Sequence, residues 1–117
     1  MNTHITNLSF FKQNSFGDTV LYRELLSIFV KTTPEMVGQM QAALQNNNYD
    51  QLSKIAHKLK SNVQSVGLQH VYNVLEDIES NKFSGTADVR LKATLQTIEQ
   101  ECHNAVLEIK AELDRVS

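Results

Sequence analysis

The run Asp50-Gln51-Leu52-Ser53-Lys54-Ile55-Ala56-His57-Lys58-Leu59-Lys60-Ser61-Asn62-Val63-Gln64-Ser65-Val66-Gly67 decides how this chain folds. Leu52, Ile55, Ala56, Leu59, Val63 and Val66 recur mostly at steps of three and four, the pattern of a helix with one apolar face. At roughly 100° per residue they fall within about 80° of arc. Asp50 is the expected N-cap, since a short carboxylate there accepts amide protons of the first turn. Gly67 supplies the left-handed residue with which helices often stop. His57 points about 150° away from the centre of the apolar arc. Lys54, Ser61 and Gln64 share that outer face, with Lys58 and Lys60 on its flanks.

Outward from this run the same period continues. Leu68, Val71, Tyr72, Leu75 and Ile78 form the stripe of a helix that follows Gly67 at once. Upstream, Leu21, Leu25, Ile28, Phe29 and Thr32 form a stripe that resumes after Pro34 as Met36, Met40, Ala43 and Leu44. Pro34 disfavours helix at the residue before it, yet Phe29, Met36 and Ala43 carry one face across it at heptad spacing. One long helix with a kink at Pro34 is therefore expected, ending before a loop at Asn46-Asn47-Asn48-Tyr49. Residues 80–88 are turn-formers around Gly85. From about Asp88, Leu91, Leu95, Ile98, Cys102, Ala105, Ile109, Leu113 and Val116 mark a last helix about 40 Å long.

The expected fold is all-α: an antiparallel up-down four-helix bundle with a short N-terminal helical segment. Residues 1–117 are expected to form a single domain. Within it, residues 18–117 make the bundle, and residues 1–17, with Ile5, Leu8, Phe10 and Phe11, form a lid packed on it. Hydrophobic residues make up 41% of the 117, enough for one core.

Charge and composition exclude several functions. Eleven basic against thirteen acidic residues leave −2, without the basic stripe that nucleic acid requires. No apolar run approaches the ~18 residues of a membrane span. Met1-Asn2-Thr3-His4 lacks the layout of a signal peptide and is expected to be a natural start. Cys102, the single cysteine, excludes a disulfide framework and points to a reducing cytoplasm. The histidines have no i,i+4 pairing on a helix, so no metal site is expected, and no phosphate-binding glycine loop is present.

The outer face at His57 offers chemistry. A solvated imidazole titrates near pH 6.5, so at physiological pH it exposes a neutral, nucleophilic ring nitrogen. Ammonium groups one turn away are suited to holding phosphate oxygens as point charges. Glu79 falls on the inward stripe of residues 68–79, close in angle to Leu68, Tyr72 and Leu75. There it either reaches water at the rim or accepts a hydrogen bond from a ring N–H of His57, which would fix the tautomer and leave the outer nitrogen free.

Ala56-His57-Lys58-Leu59-Lys60-Ser61-Asn62, then Val66-Gly67-Leu68, then Leu75-Glu76-Asp77-Ile78-Glu79, resembles the histidine-containing phosphotransfer domains of two-component phosphorelays. The family pattern is approximately A-H-x-L-K-G-S, with a Gly about ten residues after the His. The likeness is specific at His57, Leu59, Lys60 and Gly67 and extends from about Asp18 to the C-terminus. It implies that His57 is the phosphoryl acceptor and donor, and that Lys60 is the phosphate-stabilising neighbour. It also implies that Glu79, twenty-two residues on, orients the imidazole. Partners would be receiver domains of hybrid histidine kinases and response regulators, docking over Lys54, Lys58, Ser61 and Gln64. The chain would hold no cofactor of its own, and Mg²⁺ would belong to the receiver. Ser61 departs from the family's usual Gly, and Asn62-Val63 is bulkier than usual; both bear on partner choice. The other expectations are the phosphorylatable domain of a chemotaxis-type kinase, and a helical adaptor in which His57 is incidental.

Overall fold

The computed structural model describes residues 5–117. It consists of α1 (Ser9–Asn14), α2 (Thr19–Gln45), α3 (Tyr49–Ser65), α4 (Gln69–Glu79) and α5 (Val89–Val116), with no strand among the described residues. The four long helices form the expected bundle, with α2 packed on α3 and α5, and α3 on α4. Leu26, Leu52, Leu59, Leu75, Leu91 and Ile109 are fully buried at its centre. Each such side chain contributes roughly 1.5–3 kcal/mol.

Three helix ends share one solution. Asn47, Gly67 and Asn81 each adopt positive φ, at 55°, 76° and 60°. After α3, Gly67 N–H donates to the Gln64 carbonyl (3.1 Å) and Leu68 N–H to that of Val63 (3.0 Å). These are the paired bonds that satisfy the last carbonyls of a helix. The two asparagines repeat the arrangement after α2 and α4, with Asn48 N–H bonding the Ala43 carbonyl and Lys82 N–H that of Asp77. Asparagine stands in for glycine because its short polar side chain tolerates the left-handed region. Two tight turns of this kind join α2 to α3 and α3 to α4, so the Gly67 turn brings the outer part of α3 beside the end of α4.

Sequence and structure differ at the start of α3 and along α2. The N-cap of α3 is Asn48, whose side-chain oxygen accepts from Gln51 N–H (3.0 Å), and Tyr49 is already helical. Asp50 lies in the first turn and pairs with Lys54 at 3.1 Å. An asparagine two residues earlier serves the same cap, because the left-handed Asn47 delivers the chain to it. On α2 the buried face is Tyr22, Leu26, Phe29, Thr33, Val37, Met40 and Ala43. It is rotated by one position from the stripe of Leu21, Leu25, Thr32 and Met36, and Ile28 is 57% exposed. On the buried face the Tyr22 hydroxyl donates to Glu112 Oε2 on α5 at 2.6 Å, alongside the buried Leu26, Phe29 and Met40.

Helix α2 runs unbroken through Pro34, as one helix. Beside it, Asn62 on α3 donates to the hydroxyls of Thr32 (2.9 Å) and Thr33 (3.2 Å). Asn62 therefore faces α2. The N-terminal segment crosses the bundle: Asn7 N–H donates to the Val66 carbonyl (2.8 Å), and the amides of Ile5 and Thr6 donate to Glu108. Of the apolar residues expected in the lid, Phe11 is buried, whereas Phe10 is 54% exposed. His4 lies outside the described residues.

Candidate functional site

His57 stands on the outer face of α3 with its side chain 69% exposed. Leu52, Ile55, Ala56, Leu59 and Val63, all buried, fix the helix rotation that turns it outward. Its Nδ1 lies 2.5 Å from Oε1 of Glu79, the last residue of α4. The Lys60 ammonium and the His57 hydrogen bond hold the Glu79 carboxyl below its ordinary value, Lys60 contributing most and partial burial opposing. Glu79 is thus a carboxylate, which can only accept, so Nδ1 carries the proton. The Nε2 lone pair is left facing solvent.

Lys60, one turn along α3, is less exposed than its position on the flank predicts, at 15%. Its Nζ lies 2.5 Å from Glu79 Oε2 and 3.6 Å from Glu76 Oε2, and 5.5 Å from the centroid of the Tyr72 ring. The Glu79 hydrogen bond holds the ammonium above its ordinary value, with Glu76 adding to it and burial opposing. One carboxylate thus bridges an imidazole on one oxygen and an ammonium on the other.

The remaining sequence-predicted positions divide. Lys58, Ser61 and Gln64 are exposed on the same outer face. Lys54 is exposed too, its ammonium turned toward Asp50. Glu76 and Tyr72 were legible only as parts of a motif and an apolar stripe. Yet Tyr72, Glu76 and Glu79 follow at i, i+4 and i+7, so they share one face of α4, and that spacing was the available signal.

Two further histidines lie elsewhere. His70 on α4 has Nδ1 within 3.2 Å of both Glu101 carboxylate oxygens, and His103 lines a hollow of about 420 Å³ between α2 and α5 with Pro34, Gly38 and Cys102. Burial pushes the Cys102 thiol up to about 12, which keeps it protonated and unreactive. Among the described residues, no three His, Cys, Asp or Glu side chains are grouped to hold a metal ion. No described helix is long and apolar enough to cross a membrane.

The fold and the site define a class: a helical bundle whose central hairpin carries, at the middle of α3, an exposed histidine oriented by a carboxylate that also binds a lysine. Residues 24–117 match the Hpt domain family, and the chain belongs to that family. Hpt domains carry out histidine phosphotransfer in phosphorelays as phosphocarriers, and they interact with receiver domains. A crystal structure of the HPT domain from the Hpt sensor hybrid histidine kinase from Shewanella is similar to this chain over 99% of both chains. Its TM-score is 0.78 and its identity 20%, a likeness of fold. A comparison with curated proteins found no match.

Proposed function

We propose that this chain accepts a phosphoryl group from the aspartyl phosphate of one receiver domain onto Nε2 of His57 and passes it to another. The observation that carries the reading is the bond from His57 Nδ1–H to Glu79, which leaves an exposed Nε2 lone pair. Nε2 attacks phosphorus, the N–P bond forms, and the acyl O–P bond breaks as the aspartate carboxylate leaves. The imidazole gains positive charge as this happens, and the Glu79 carboxylate stabilises that charge. Onward transfer is the reverse step to a second aspartate. Phosphoryl transfer needs mainly positioning and charge neutralisation, which a receiver with its own Mg²⁺ supplies. This chain holds no cofactor in the proposed reaction, and acts in the cytoplasm.

The receivers of hybrid histidine kinases and response regulators would dock over the exposed Lys54, Lys58, Ser61 and Gln64 around His57. Lys60 would serve the phosphoryl group from the flank. Purified receiver domains carrying labelled phosphate test the reading. The wild-type chain takes up label from at least one and delivers it to a second, and His57→Gln takes up none. Label retained by His57→Gln, or no uptake from any receiver, would reject it.

A further inference from the structure

Lys60 is joined to His57 through the Glu79 carboxylate, and its neighbours on α4 compete for it. Glu79 and Glu76 offer two carboxylates and Tyr72 a π face, all from one side of α4. Glu79 has a second duty toward His57, whereas Glu76 bonds no other side chain among the described contacts and is half exposed. The resting cluster therefore holds two acids and one base beside the imidazole. A phosphoryl group on Nε2 adds a third anion that draws on the same ammonium.

Resting on the proposed role of His57, we infer that Glu76 is a positioning residue that seats Lys60 against Glu79 and thereby limits how firmly the site retains a phosphoryl group. In the seated arrangement the ammonium neutralises carboxylates rather than phosphoryl oxygens. The phosphorylated site is then left anionic, and the group is readily given up. Tyr72 forms the floor of the seat, since a cation over an aromatic face is held by the ring quadrupole. Removing the charge at position 76 releases Lys60 from one competitor and lets its flexible stem follow the phosphoryl oxygens. The transition state for loss of the group is loose and metaphosphate-like, with less negative charge on the departing group than in phosphohistidine. An ammonium on the phosphoryl oxygens therefore holds the ground state more strongly than the transition state.

The test uses phosphoramidate as donor, which needs no partner protein. Imidazole Nε2 attacks its phosphorus, the P–N bond to the amine breaks, and ammonia leaves. Charged fraction and half-life of phospho-His57 after donor removal are read by ³¹P NMR. Glu76→Gln is expected to lengthen the half-life about three- to tenfold, and Glu76→Asp to restore much of the wild-type value. Lys60→Met is expected to shorten it, and Glu76→Gln combined with Lys60→Met to behave as Lys60→Met alone. That last equality separates seating from direct repulsion of the phosphoryl group by Glu76, which would persist without the lysine. An unchanged half-life in Glu76→Gln, or a lengthening that survives loss of Lys60, overturns the inference while leaving phospho-His57 intact. A wild-type chain that takes no phosphoryl group on His57 overturns the reading beneath it as well.

Discussion

Replacing Glu79 separates its two contributions to the site. Glu79→Gln keeps an oxygen able to accept from His57 Nδ1 but removes the charge. Glu79→Ala removes both. A hydrogen bond to a charged group contributes about 1.5–3 kcal/mol, and a neutral one about 0.5–1.5. The difference, about 1 kcal/mol, corresponds to roughly a fivefold slower transfer for Glu79→Gln. The bond already exists in the resting protein, so only its strengthening as the imidazole turns cationic enters the rate. Glu79→Ala should therefore slow transfer by at most roughly 150-fold. The 2.5 Å contact at 29% exposure places the wild-type bond among the charge-assisted ones. Single-turnover transfer from a phospho-receiver measures the rates, and ¹⁵N NMR of the imidazole measures the tautomer. The wild type and Glu79→Gln should hold the proton on Nδ1, whereas Glu79→Ala should show a mixture. Transfer by Glu79→Ala at the wild-type rate, or a wild-type proton on Nε2, would refute the reasoning.

Three other substitutions probe what holds the site in place. At Gly67 (φ +76°) an added Cβ would lie 2.8 Å from Asn7 Cβ and 3.2 Å from Asn7 N. Left-handed strain of about 1–2 kcal/mol adds to a weakened Asn7–Val66 bond, so Gly67→Ala should lose about 2–3 kcal/mol in denaturant unfolding. Asn7→Gly should recover part of that loss. Glu112 is held at about 2, chiefly by Arg115, with Tyr22 assisting against partial burial. Its folded-state value lies below the unfolded one, so its contribution is present above about pH 4.5 and fades as pH falls toward 2. Glu112→Gln should lose up to about 3 kcal/mol at neutral pH and flatten that acid limb, as unfolding measured against pH would reveal. Ser61→Gly should cost about 0.5–1 kcal/mol and preserve or raise transfer rates across several receivers, because the exposed hydroxymethyl group crowds their approach. A variant slower with every receiver would assign the hydroxyl to the phosphate instead.

Much of this architecture is legible in the sequence because α3, α4 and α5 each have one narrow apolar stripe. Leu52, Ile55, Leu59 and Val63 on α3, and Leu91, Leu95 and Ile98 on α5, are buried as their spacing predicts. On α2 the pairs Leu21-Tyr22, Leu25-Leu26, Ile28-Phe29, Thr32-Thr33 and Met36-Val37 offer comparable residues at adjacent positions. Period alone then fixes the face only to within about 100°. The choice between neighbours rests on long-range packing against α3 and α5, of which the Tyr22–Glu112 bond, ninety residues apart in sequence, is one part. At the site, the outward angle of His57 follows from helix geometry, whereas the stripe of α4 leaves Glu79 a choice between water and His57 that only the packing of α4 on α3 decides. The orientation of Lys60 is not legible either. A flexible lysine goes where charge is densest, and that depends on how close α4 brings Glu76 and Glu79.

The chain's proposed reaction has one atom at its centre, Nε2 of His57. The most direct measurement is a ¹H–³¹P correlation spectrum of the protein after charging by a phospho-receiver. Phosphorus coupled to the ring protons of His57 through Nε2, and to no other residue, is the result predicted here. Phosphorus on His57 Nδ1, on His70 or on His103 would contradict it.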